Sequence, residues 1–183
     1  MKIHTAGVPV GLRRFPMHKI GDNIVYGASG VMTVVDVREE QIGDESRKYY
    51  VLQSHGGHKD SLTFVPVDNE KLVSAMRPLL TKEKILAIIK DYPEVPAAEW
   101  INDNRARAER FKSVIEGGDH KAIIGVIKAI QKNSLRRGEE GKKNYLSDDA
   151  AMRKAEHTLY SEFSIVLGVP EEEVAEMVAK AAE

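Results

Sequence analysis

Residues 62–96 read LTFVPVDNEKLVSAMRPLLTKEKILAIIKDYPEVP. Within this one stretch the hydrophobic period changes. Leu62 to Val67 is strand-like and ends on Pro66, which cannot donate a ladder hydrogen bond and belongs at a sheet edge or strand end. After Thr81 the apolar residues Ile85, Ile88 and Ile89 take helical spacing, and Tyr92-Pro93-Glu94-Val95-Pro96 stops them, because each proline disfavours helix at the preceding residue. The sharpest boundary of the chain therefore lies here, with β structure before it and helices after it.

Working back towards the N-terminus, Leu62 to Val67 is the last of four short strand-like runs. The others are Ile20 to Tyr26, the β-branched run Val31 to Val37, and Tyr49 to Leu52. Gly27 to Gly30 breaks the first run, and Gly43-Asp44 sits at the tip of a polar connection with hairpin character. Four short strands with tight turns predict a small bent antiparallel sheet or open barrel. Working forward, one helix is expected over Ala97 to Glu116, stopped by Gly117-Gly118. A second, capped by Asp119, covers Lys121 to Arg137 with Ile123, Val126, Ile127 and Ile130 on its apolar face. A third, capped by Ser147, carries the stripe Met152, Ala155, Leu159, Phe163 and Val166. A last acidic helix, Pro170 to Ala181, reads as a separate appendage. The fold class is α+β with segregated parts. Residues 1–14 form a leader, 15–80 the β unit, 81–168 the helical unit and 169–183 the acidic helix.

The chain has 183 residues, 42% of them hydrophobic and 30% charged, an ordinary globular composition that excludes wholesale disorder. No apolar run approaches the roughly 18 residues of a membrane span. No signal peptide is evident, and a cytoplasmic location is expected. The absence of cysteine removes disulfides, thiol catalysis and cysteine-ligated zinc together. The formal net charge of −1 is a sum of unlike parts: residues 1–96 carry +1, 97–169 carry +2 and the last 14 carry −4. That balance excludes a DNA coat but permits local basic patches.

Candidate chemistry is sparse. His55 and His58 flank Gly56-Gly57 with Asp60 close by, which are metal-ligand types without a complete set; a polar turn explains the same residues. Ser54-His55 with Asp60 lacks the strained nucleophile turn of a hydrolase. No phosphate-binding glycine spacing occurs, so no enzyme, cofactor or metal is expected. The basic segment is more informative. Lys128, Lys132, Arg136, Arg137, Lys142 and Lys143 stand against Glu139 and Glu140, a local +4, and phosphate binding is served by such a patch. A solvated helix face gives the same pattern. Arg105, Arg107 and Arg110 form a second, diluted cluster. Trp100, the lone tryptophan, follows Pro96. A buried hub is the default for such a residue, and an exposed wedge at a distorted DNA step is the alternative.

The order of these motifs resembles the CarD/CdnL family of bacterial transcription regulators, whose N-terminal module is shared with the polymerase-interacting domain of transcription-repair coupling factor. The resemblance begins at Gly21-Asp22-Asn23-Ile24-Val25-Tyr26. It runs through Gly30-Val31, Tyr49 to Leu52, Leu62 to Val67, Met76-Arg77, Trp100, Gly118-Asp119 and Ser161-Glu162 to Leu167-Gly168. It implies a Tudor-like β-barrel that docks on the β subunit of RNA polymerase by edge-strand addition through Leu62, Thr63, Phe64 and Val65. It also implies a helical domain against promoter DNA at the upstream edge of the bubble, with Trp100 as the minor-groove wedge. Arg105 takes the place of a basic helper, and Lys128, Lys132, Arg136 and Arg137 add the local positive charge. The expected partners are the polymerase β subunit and promoter DNA recognised by structure, and the expected effect is on open-complex stability, in a nucleoid-associated protein.

The chain departs from the family pattern. Gly27 and Ser29 replace a Pro and a His, Phe64 stands where an arginine is common, and Asn102-Asp103-Asn104 occupies a place where arginines are usual. Asp103 repels phosphate or caps a helix. A protein-interaction adaptor, with a docking barrel and a helical domain that binds another protein, is therefore the rival reading.

Overall fold

The computed structural model describes residues 18–42, 45–55 and 61–182. The leader, the Gly43-Asp44 tip, and His58 and Asp60 of the candidate metal loop lie outside them.

Five antiparallel strands form the first half: β1 (Asn23–Tyr26), β2 (Val31–Ile42), β3 (Glu45–Ser54), β4 (Leu62–Pro66) and β5 (Met76–Pro78). Their order is β4-β3-β2-β1-β5. β2 and β3 form a long hairpin that runs in register from Met32↔Ser54 to Ile42↔Glu45, so the polar stretch after Val37 continues the strands. A bulge between Val34 and Asp36 bends the ladder. The bent sheet agrees with the sequence, but it does not close into a barrel: among the described residues β4 pairs β3 alone and β5 pairs β1 alone, which leaves two edges.

The reason is the connection between them. After Pro66 the chain turns into a short helix α1 (Glu70–Ser74), capped by Asn69 Oδ1 on the Leu72 amide at 3.2 Å. Val73 of α1 and Met76 of β5 pack on Ile24, Met32, Val34, Tyr50, Leu52 and Val65. The helix thus covers the apolar face of the sheet while the chain crosses to the far edge. Neither α1 nor β5 is visible as a hydrophobic period, since each spans five residues or fewer.

The second half holds α2 (Lys82–Lys90), α3 (Asn104–Gly117), α4 (His120–Glu139), α5 (Leu146–Leu167) and α6 (Glu171–Ala181). Asp103 caps α3 through the Ala106 amide at 2.7 Å, and Asp119 caps α4 through the Ala122 amide at 2.7 Å. Gly118 closes α3 in the left-handed region at φ 70°. Ile85, Tyr92, Ile115, Ile124, Ile127, Leu159 and Phe163 form the main helical core. Val174 and Val178 of α6 are buried in that same core, so the last helix is not an appendage; its acidic face covers an apolar stripe. Ser147 does not cap α5. Tyr145 holds that position without a side-chain bond, and Ser147 Oγ donates to Asn104 Oδ1 at 2.8 Å.

Candidate functional site

Two surfaces carry the sequence-derived candidates. The first is the β4 edge. Side chains alternate across a strand, so Leu62 and Phe64 face out, 41% and 42% exposed, while Val65 is fully buried in the sheet core. Thr63 is half-buried. The Phe64 ring meets Tyr49 edge-on at 6.3 Å and lies under the Arg38 guanidinium at 5.3 Å. Arg38 is itself held by Glu40 at 2.7 Å. The Phe64 position is therefore apolar, with a guanidinium above it that is already paired.

The second surface is built on a non-helical strap, residues 95–102, where a helix was expected. The predicted helix over Ala97 to Glu116 begins only at Asn104. Three sets of bonds hold the strap in place. The Lys128 ammonium donates to the carbonyls of Tyr92, Pro93 and Val95 at 2.6, 2.9 and 2.8 Å. The Ala98 amide donates to Gly125 O at 2.8 Å. Gly125 allows this close approach, since a Cβ would sit 3.1 Å from Pro96 O and 3.4 Å from the Ala98 nitrogen. The Arg107 guanidinium then fixes the far end, donating to Ile101 O at 2.8 Å and Asn102 O at 3.4 Å.

Trp100 rides on this strap, half-buried. Phe111 meets its ring edge-on at 6.1 Å, and the Arg107 guanidinium covers it at 4.3 Å. Arg107 is 1% exposed, which removes it from the basic surface cluster. Its remaining donors go to Asp148 at 3.0 and 3.0 Å and to Asn104 Oδ1 at 2.8 Å, so all five N–H groups are bonded. Asp148 is thereby a buried ion-pair partner.

Lys128 is likewise committed to the strap and is not offered to a phosphate. Arg105 is 90% exposed and lies 3.5 Å from Glu109. Lys132 and Arg136 are exposed, Arg136 bonding Asn133 Oδ1 at 2.9 Å. Arg137 donates twice to Lys143 O, at 2.9 and 2.6 Å, and its guanidinium lies 4.2 Å from the centre of the Tyr145 ring. Arg107 lies 5.2 Å from that same ring. The structure thus brings Trp100 and Arg137 into one stack through Arg107 and Tyr145.

Residues 18–80 match the family model described as the CarD-like/TRCF RID domain. The sheet unit is a CarD-like/TRCF RID domain. Such a domain is a module of interaction with RNA polymerase. A comparison with curated proteins finds no match. No helix among the described residues is long and apolar enough to cross a membrane.

A buried cluster couples the RID domain to the helices beyond it. Arg77 of β5 grips Glu162 of α5 with two bonds of 2.8 and 2.7 Å. The Leu80 amide donates to the same carboxylate at 2.8 Å, and His120 Nε2 donates at 2.9 Å. Burial alone would raise the Glu162 pKa; the Arg77, His120 and Leu80 hydrogen bonds outweigh it and hold the group down at about 2.

Sequence reasoning placed Arg107 on the surface and missed Gly125 and Tyr145. One signal existed for Arg107: it stands four residues before Phe111 and eight before Ile115, on the buried stripe of α3. Gly125 and Tyr145 carry no such pattern.

Proposed function

We infer that this chain is a non-enzymatic, CarD-like transcription regulator working in the cytoplasm, at the bacterial nucleoid. It binds the β subunit of RNA polymerase through β4 and modulates open-complex stability through the helical half, at the upstream edge of the bubble. The observation that carries the reading is an RID domain whose β4 edge is unpaired among the described residues, with Leu62 and Phe64 exposed beside it. An open edge supplies backbone donors and acceptors to an added strand, and alternate side chains supply specificity. The DNA contacts in this reading are Trp100, with Arg105, Lys132, Arg136 and Arg137 for phosphates. Asp103 caps α3, so its charge serves the helix end and opposes phosphate less than its sequence position implies.

The test is binding of the full chain to the isolated β-subunit lobe. The Leu62→Asp, Phe64→Asp double variant is expected to weaken that binding at least roughly tenfold, since charges on the added-strand face replace apolar contact. Equal binding by variant and parent would refute docking through β4.

The adaptor reading keeps the docking edge and gives the helical half a protein partner. It is favoured by a groove of about 720 Å³ beside the strap, floored by Ala98, Phe111, Val114 and Val126 and rimmed by Glu94 and Lys121. Salt separates the two: promoter contact weakens steeply with salt in proportion to the phosphates neutralised, and an apolar groove does not.

A further inference from the structure

We propose that Tyr145 is a second nucleic-acid-contacting ring, locked to Trp100 by the buried Arg107, with Arg137 supplying a phosphate contact beside it. The proposal rests on the DNA reading of the helical half and extends it to a residue that charge patterning does not single out.

The two rings share one guanidinium. The Arg107 carbon lies 4.3 Å from the centre of the Trp100 ring and 5.2 Å from that of Tyr145. Arg107 cannot turn away, because its five donors are bonded and Asp148 holds it in the protein interior. Trp100 lies on the strap and Tyr145 at the start of α5, so Arg107 makes two distant segments into one rigid piece. Such rigidity lowers the entropy lost on binding.

The outer part of this piece is accessible. Tyr145 is 42% exposed, and Leu146 next to it is 86% exposed. Neighbours in sequence, these two residues present an aromatic ring and an aliphatic side chain to solvent. The surroundings select the kind of partner. The segment from Lys128 to Lys143 is locally +4, and with Lys128 committed internally the rest still carries net positive charge. Arg137 spends Nε and Nη2 on Lys143 O, while its Nη1 makes no hydrogen bond among the described residues. A ring flanked by a guanidinium with spare donors fits a nucleotide, which offers an apolar base or sugar face beside a phosphate.

The experiment measures dissociation of promoter open complexes formed by polymerase with saturating full-length protein. Tyr145→Ala and Trp100→Ala are each expected to abolish most of the change in lifetime that the parent produces, roughly a tenfold effect for loss of one aromatic contact. Tyr145→Phe keeps the ring and is expected to stay within about twofold of the parent. Arg107→Met with Asp148→Leu removes both ends of the buried pair, an exchange that usually preserves the fold. In that variant acrylamide quenching of Trp100, the sole tryptophan, is expected to rise about twofold as the strap loosens, and the lifetime effect to fall with it. If Trp100→Ala acts and Tyr145→Ala does not, the inference is overturned and the DNA reading stands. If neither acts, both are overturned. Unchanged quenching and lifetime in the Arg107/Asp148 variant would overturn the locking role of Arg107.

Discussion

Replacing Glu162 with Gln tests how the RID domain is joined to the helices. The carboxylate is 1% exposed and accepts four hydrogen bonds, two from Arg77 and one each from Leu80 and His120. The gap between an ordinary value of 4.5 and about 2, at about 1.36 kcal/mol per decade of acidity, is on the order of 3 kcal/mol. The folded-state pKa lies below the unfolded one, so this contribution is complete above about pH 5 and fades as the pH falls through about 2. Glu162→Gln keeps the shape, removes the charge, and turns an amide N–H₂ towards donors. Urea unfolding at pH 7 is expected to show the variant less stable by on the order of 3 kcal/mol. At pH 2 the gap narrows, because the parent carboxylate is then partly protonated. A loss below about 1 kcal/mol at pH 7, or a gap undiminished at pH 2, would refute the account of this cluster.

Two further outcomes concern the strap. Gly125→Ala pushes a methyl group against Pro96 O and the Ala98 nitrogen, which are backbone atoms that cannot swing aside. It is expected to cost about 1–3 kcal/mol in urea unfolding and to shift Trp100 emission to the red. Lys128→Met leaves three carbonyls without their donor and is expected to cost about 1.5–3 kcal/mol while leaving the salt dependence of promoter binding unchanged; Lys132→Met is expected to lower that salt slope by about 1. Equal slopes for the two lysine variants would contradict the division between an anchoring and a phosphate-facing lysine.

Features set by a local period were legible in the sequence. The change from strand to helix after Thr81, the Asp119 cap, the Gly118 stop and the terminal position of Pro66 all appear in the structure, because each depends on residues within a few places of one another. Features set by distant partners were concealed. Residues 97–102 have no strong helix breaker, yet they are not helical, because Lys128, Gly125 and Arg107 supply strap-holding bonds from other elements. Arg107 and Asp148 are 41 residues apart, so no local pattern pairs them. The fifth strand was hidden for a similar reason: α1, which leads to it, packs Val73 on the sheet core by a contact that no pattern within five residues reveals. The acidic run of α6 drew attention away from Val174 and Val178, which carry its packing.

The central claim is that one chain docks on polymerase with its RID edge and acts on DNA with the strap. Trp100→Ala addresses it most directly, measured for polymerase affinity and open-complex lifetime on the same preparation. The expected result is affinity within about twofold of the parent and loss of most of the lifetime effect, roughly fivefold or more. A lifetime effect that survives intact with unchanged affinity would contradict it, and would return Trp100 to a role in packing against Phe111 and Arg107.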